Sequence, residues 1–127
     1  MVTPASTIDV SGPAQAGTVG LLRAVAASLA ARLGMDVEAI EELRMAVDEA
    51  SSLLLTAGPG DRLSMSIDTT AEGHLAIRVR TDARIEALPT DERTSWPWRV
   101  IRQLTSDAEA SVDGDGAGVS FRVGATR

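Results

Sequence analysis

Residues 36–57 read DVEAIEELRMAVDEASSLLLTA, and this stretch decides the fold of the chain. Apolar residues recur in it at alternating steps of three and four, which predicts one buried face of a long helix. These residues are Ile40, Leu43, Val47, Ala50 and Leu54. Asp36 is expected to cap the helix, because its carboxylate can accept from the free N–H groups of the first turn. Gly58-Pro59-Gly60 is expected to end it.

Two acids, Asp48 and Glu49, lie late in this helix, where the helix dipole disfavours negative charge. Their position indicates that another constraint keeps them there. The simplest constraint is structural, because ion pairs are commoner than catalytic acids. On that interpretation Glu49 lies on the solvated flank of the helix and pairs with Arg44 or Arg102.

The remaining patterns predict a single α+β domain over residues 1–127, with residues 1–6 as a loose N-terminus. Period-two alternation predicts strands, and steps of three and four predict helices. The predicted elements are a strand at 7–10, a turn at 11–13, a helix from Gly17 to Gly34, the helix at 36–57, strands at 62–68 and 75–79 around a turn at 71–73, a polar loop at 81–94, a helix from Ser95, and strands at 108–112 and 119–123 around a turn at 113–116. The order βααββαββ fits a two-layer α/β sandwich, with helices on one face of a mixed or antiparallel sheet.

Composition excludes several classes of function. The chain has no Cys and one His, which excludes a zinc site built from those residues. All twelve basic residues are arginine, so the lysine of a Walker-type phosphate loop is missing. The net charge of −6 argues against general binding to nucleic acid or to an anionic membrane. No signal peptide and no bilayer-spanning apolar run are visible, so a cytoplasmic protein is expected.

Two segments carry a resemblance to a known family. Residues 43–50, LRMAVDEA, and residues 98–107, WRVIRQLTSD, resemble parts of the GHKL nucleotide-binding fold of Hsp90, DNA gyrase and histidine kinases. Over nearly its whole length the chain is similar to the anti-sigma-factor serine kinases of the RsbW type (HATPase_c_2). Its use of arginine for every basic residue resembles that of high-GC actinobacterial proteins. The resemblance implies a GHKL (Bergerat) ATPase-like fold.

The resemblance also implies a nucleotide site, part of which is missing here. Glu49 matches a glutamate that orients water or a hydroxyl for phosphoryl transfer. Four residues later the family has an asparagine that ligates magnesium, but this chain has Leu53, and a hard cation needs oxygen ligands. An aspartate that bonds adenine matches Asp82, or in another register Thr81, and the glycine that follows it in the family is not evident.

The family's glycine-rich lid is replaced by Ser95-Trp96-Pro97-Trp98. Pro97 removes one N–H donor, and the indoles fill or stiffen the phosphate region. The resemblance implies Ser95 as a candidate nucleotide contact beside Glu49, Thr81 and Asp82. Trp96 and Trp98 have two interpretations. They anchor the helix start in a core with few aromatics, or they contact a partner protein. The threonine before the family's last strand has no match in residues 116–119.

Two functions from different classes follow from the resemblance. The first is an anti-sigma-factor-like regulator of transcription that binds a sigma factor or an anti-anti-sigma protein, possesses a degenerate ATP site, and forms a homodimer as this family often does. The alternative is an active ATP-dependent serine/threonine kinase that phosphorylates an anti-anti-sigma factor. ATP with magnesium is then a weakly bound cofactor, a structural ligand held through Asp82, or absent. No nucleic-acid or membrane partner is expected.

Overall fold

The structure is a computed structural model, and it describes residues 7–69 and 73–124. Its elements are β1 (Thr7–Pro13), α1 (Ala16–Arg32), α2 (Val37–Ala57), β2 (Arg62–Thr69), β3 (Leu75–Thr81), α3 (Trp96–Leu104), β4 (Ser106–Asp113) and β5 (Gly116–Val123). This order confirms the predicted βααββαββ sequence of elements. The predicted loose N-terminus at 1–6 and most of the predicted turn at 71–73 lie outside the described residues.

The strands form one five-stranded sheet in the order β1-β2-β3-β5-β4, and every neighbouring pair is antiparallel. Alternation places the apolar residues of β2, Leu63, Met65 and Ile67, in the core. One prediction was wrong, since residues 11–13 are not a turn. They continue β1 and pair with residues 62–64 of β2. Pro13 is tolerated because β1 is an edge strand, where a missing N–H interrupts no ladder on the outer side.

Helix α2 lies at the centre of the helical layer. Its N-cap is as predicted, because the backbone N–H of Ala39 donates to Asp36 Oδ1 over 2.8 Å. The predicted apolar face is buried apart from Ile40, which is half-buried. The helix packs against both α1 and α3 and lies over β3 and β5. Gly34 directly follows Leu33, the C-cap of α1, and ends that helix as predicted with a φ of 79°, a conformation that glycine adopts at low cost.

Three backbone segments meet tightly where β2 begins, β3 ends and β5 begins. Asp82 Oδ1 accepts hydrogen bonds from the backbone N–H groups of Asp61 at 2.8 Å and Arg62 at 3.0 Å. A side chain on Gly60 would come within 2.8 Å of that same carboxylate oxygen. Gly116 has a φ of 141°, and a Cβ there would overlap the carbonyl oxygen of Thr81. The end of β3 therefore fixes the starts of two other strands.

We expect Gly116→Ala to lower the free energy of unfolding by about 2–4 kcal/mol, the sum of a strained backbone and an overpacked contact. Urea denaturation measures this loss. Gly114→Ala is the matched control, since nothing lies within 4 Å of a Cβ at that position. Equal stability of the two variants would contradict the close approach at Gly116.

The Asp82 contact predicts a pH dependence of stability. The N–H groups of Arg62 and then Asp61 hold the pKa of the Asp82 carboxyl below its ordinary value. A carboxyl with a lowered folded-state pKa stabilises the protein above its unfolded-state pKa, and this stabilisation is lost as pH falls through the folded-state pKa. Asp82→Asn should therefore be less stable than wild type near neutral pH, and the difference should shrink in acid.

Urea denaturation from pH 7 down into the acid range checks this prediction. Glu86→Gln is the control, because Glu86 is exposed and makes no hydrogen bond or ion pair within residues 7–69 and 73–124. A stability difference for Asp82→Asn that stays constant across that range would show that the charge of Asp82 contributes nothing through these two N–H groups.

Candidate functional site

Glu49 is half-buried on α2 and has no hydrogen bond or ion pair in the part of the chain that the structure describes. The ion pair considered for it is not formed. Arg44 instead lies 3.7 Å from Glu41, and Arg102 lies 4.0 Å from Glu92. Burial, followed by the nearby charge of Asp48, raises the pKa of the Glu49 carboxyl. A half-buried carboxylate without a partner and with a raised pKa is suited to accept a proton.

The neighbouring acid, Asp48, has a structural role. Its Oδ1 accepts from Arg23 Nη1 of α1 over 2.6 Å, and both side chains keep about a third of their surface exposed. This ion pair joins α1 to α2. It accounts for one of the two acids that the helix dipole disfavours, and it leaves Glu49 as the acid without a structural partner.

Leu53 lies one helical turn after Glu49, at the position where the resemblance implies a magnesium ligand. It is 2% exposed and belongs to the same hydrophobic core as Leu88 and Trp98. Its side chain offers no oxygen, so the residues present do not fit a magnesium ion held from this turn of α2. Among the described residues, no group of three or more His, Cys, Asp or Glu side chains could hold a metal ion.

The connection between β3 and α3, predicted as a polar loop, carries buried apolar side chains. Ala83 and Leu88 are buried and Ile85 is half-buried against the core. A Cβ on Gly58 would lie 3.4 Å from Ile85 Cγ1, so this connection packs on the end of α2. The apolar positions 83, 85 and 88 were the sequence signal for this packing, but their spacing matches neither a helix nor a strand.

Two register alternatives were open for the adenine-binding residue. Thr81 is buried and its Oγ1 accepts from the backbone N–H of Ala83 over 3.2 Å. Asp82 is exposed, but its Oδ1 already accepts from two backbone N–H groups of the β2 start. The second oxygen, Oδ2, makes no hydrogen bond within the described chain and is the acceptor that remains for a ligand.

The segment in place of the lid is the rigid start of α3. Ser95 is buried and caps the helix, since its Oγ accepts from the N–H of Trp98 over 3.3 Å. Pro97 lies in the first turn, where its missing N–H costs little. Trp98 is 6% exposed and part of the core, whereas Trp96 is 64% exposed, with the Arg99 guanidinium 5.9 Å from its ring centre. The two indoles therefore occupy different environments.

Three surface cavities lie away from these residues. One of about 370 Å³ opens beside Glu42 at the start of α2, one of about 630 Å³ lies over Arg78 on the open sheet face, and one of about 280 Å³ lies between Ile8 of β1 and α1. None of the three is lined by Glu49, Thr81, Asp82 or Ser95. The predicted nucleotide contacts thus do not border any of these cavities.

No protein-family model matches the chain, and no curated protein sequence matches it. Solved structures that are similar to it include the following two. The crystal structure of the RsbU and RsbW domains of Rv1364c from Mycobacterium tuberculosis is 14% identical, with a TM-score of 0.73 over 94% of this chain. The histidine kinase domain from the blue-light activated histidine kinase EL346 of Erythrobacter litoralis is 17% identical, with a TM-score of 0.59 over 87% of this chain.

The chain spans 32% of the Mycobacterium tuberculosis chain and 60% of the Erythrobacter litoralis chain, so it corresponds to one part of each. Within the residues that the structure describes, no helix is long and apolar enough to cross a membrane. The likeness of helical layer and sheet confirms the fold predicted from residues 43–50 and 98–107. The chain has the α+β, GHKL-like fold of these two structures.

Proposed function

We propose that this chain is a cytoplasmic, anti-sigma-type regulator that sequesters a sigma factor or a partner-switching protein and does so without nucleotide. The observation that carries the proposal is the burial of Leu53 in the core. In the family that the sequence resembles, that turn of α2 presents a magnesium ligand to the nucleotide. A side chain that is 2% exposed presents nothing to a ligand.

The surrounding residues support the same function. The Ser95 hydroxyl caps α3 and Asp82 Oδ1 holds the start of β2, so both groups already have backbone partners. A nucleotide that displaced either contact would break a hydrogen bond that the fold uses, which leaves only Asp82 Oδ2 and the hydroxyl hydrogen of Ser95 for a ligand. Leu88 and Ile85 pack the connection before α3 onto the core. Opening this region for a triphosphate would expose apolar area, which opposes binding.

The protein-binding part of the proposal draws on the likeness to a structure described as containing an RsbW domain. A partner-switching regulator works by differential affinity, since two partners compete for one protein. We include a homodimer in the proposal, on the basis of the family resemblance. The net charge of −6 favours partners whose contacting surface is basic.

We expect the melting temperature to be the same with and without millimolar Mg-ATP or Mg-ADP, and titration calorimetry to show no binding heat. A ligand at about 100 times its Kd would stabilise the fold by about 2.7 kcal/mol, which is worth several degrees for a domain of this size. A Leu53→Asn variant tests whether the missing ligand alone prevents binding. We expect it to lose stability through a polar group in the core without gaining nucleotide affinity.

The companion measurement mixes the purified chain with each sigma factor of its host. One of them is expected to bind, with the same Kd in the presence and absence of Mg-ATP. If the chain binds none of the sigma factors, the anti-sigma assignment is wrong. If the Kd depends on Mg-ATP, the claim that the chain acts without nucleotide is wrong.

The alternative, an ATP-dependent serine/threonine kinase, is favoured by Glu49. Its carboxyl has no partner among the described residues and a raised pKa, as a group that accepts a hydroxyl proton requires. Phosphate transfer to an antagonist protein that Glu49→Gln abolishes would establish this activity. Equal background transfer by wild type and Glu49→Gln would leave Glu49 without a catalytic role.

A further inference from the structure

Trp96 is a large exposed aromatic side chain at the start of α3. It is 64% exposed, in a protein whose only other aromatic residues, Trp98 and Phe121, are buried. An indole gains much apolar contact area when a partner covers it, and tryptophan is enriched among the residues that dominate binding energy at protein interfaces. Trp96 therefore differs from the scattered aliphatic residues that any surface exposes.

The backbone beneath Trp96 is held firmly. The N–H groups of Thr94 and Ser95 donate to the carbonyl oxygen of Asp91 over 3.0 and 2.8 Å. Ser95 caps the helix, and Pro97 fixes the first turn. The Arg99 guanidinium lies 5.9 Å from the Trp96 ring centre, within the range of a cation–π contact. A partner that binds here pays little entropy to order this surface.

Arg99 has a positive charge that no carboxylate neutralises in the described chain. Its Nε donates to the backbone carbonyl of Glu92 over 3.0 Å, and it forms no ion pair. The two nearby arginines differ, since Arg93 pairs with Asp91 at 3.3 Å and Arg102 lies 4.0 Å from the Glu92 carboxylate. The terminal nitrogens of Arg99 make no hydrogen bond there, and their paired donors suit the two oxygens of a carboxylate.

From these observations we propose that Trp96, Pro97 and Arg99, here called the Trp96 platform, bind a segment of a partner protein that presents an acidic side chain beside an apolar one. The apolar side chain covers the indole and the carboxylate meets Arg99. The inference rests on the proposed function only for the biological identity of the partner. The attraction for an acidic segment must come from Arg99 itself, because a protein with a net charge of −6 does not attract acidic segments in general.

The test uses selection from a random peptide library displayed on phage, with wild-type protein, Trp96→Ala and Arg99→Gln as baits. Wild type is expected to enrich peptides in which Asp or Glu stands next to an apolar residue. Recovery of those peptides should fall at least about tenfold on either variant, the loss typical of a central interface residue. In titration calorimetry, synthetic versions of the enriched peptides should bind wild type with a lower Kd than either variant.

Two control baits carry the same kinds of substitution, one apolar and one arginine, on other surfaces of the protein. Leu21→Ala removes an apolar side chain that is 50% exposed on α1, and Arg78→Gln removes an exposed arginine from the open sheet face. Both are expected to retain the enriched peptides. Leu21→Ala and Arg78→Gln should keep the wild-type melting temperature, because such surface substitutions change stability by about 0.5 kcal/mol or less. Arg99→Gln also loses the hydrogen bond from Nε to the Glu92 carbonyl, so the melting temperature of every bait is measured beside that of wild type. If Trp96→Ala unfolds, the peptide recovery on Arg99→Gln and the calorimetry with wild type still test the proposal.

Four outcomes would overturn the proposal: no enrichment on wild type, enrichment of basic peptides, equal losses on the control baits, or displacement of the peptides by millimolar Mg-ATP. The last would show that the platform binds phosphate. The Trp96 platform and the anti-sigma assignment can fail independently of each other. Acidic peptides that need Trp96, together with no sigma-factor binding, would retain the platform and remove the anti-sigma assignment. The reverse result would retain the regulator and place its interface elsewhere.

Discussion

The packing of α2 on the sheet and between its two neighbouring helices is the constraint on which the rest of the structure depends. Alanine makes this packing possible, because Ala46 and Ala50 are fully buried and their small side chains let neighbouring elements approach closely. With so few aromatic residues, leucine and methionine fill the remaining volume, including Leu43, Leu54 and Met65. A close-packed interior leaves no room for a side chain or ligand that does not belong to it.

This constraint explains why Leu53, at the position where the resemblance implies a magnesium ligand, is buried in the core. Leu53 lies on α2 one turn after Glu49, so a helix held in this rotation also holds Leu53 inward. Burial of the Leu53 side chain contributes roughly 1.5–3 kcal/mol to the free energy of unfolding, and a polar magnesium ligand at that position could not make this contribution. The apolar residues of the connection before α3 extend the same core around the end of α2. At this position the packing that stabilises the domain also excludes a polar ligand.

Local patterns in the sequence predicted the elements and their order, because hydrophobic period and capping are properties of neighbouring residues. Asp36 and Gly34 were identified in this way. Features that depend on distant residues were not predictable. The extension of β1 through Pro13 follows from pairing with β2, and the double acceptance by Asp82 requires β2 to start beside the end of β3. Trp96 could likewise not be distinguished from Trp98, because the environments of the two indoles depend on how α3 packs.

The proposed function, a regulator that binds no nucleotide, restricts how such a protein can be switched. A ligand shifts a conformational equilibrium only by its difference in affinity for the two states, so a protein that binds no nucleotide cannot be switched by one. The residues in place of the family's glycine-rich lid instead form the N-cap and first turn of α3, which the Ser95 cap and Pro97 hold. A fixed surface binds with a low ordering cost but offers no second conformation. Release of a partner must then come from competition by another protein for the same surface, at concentrations set by mass action.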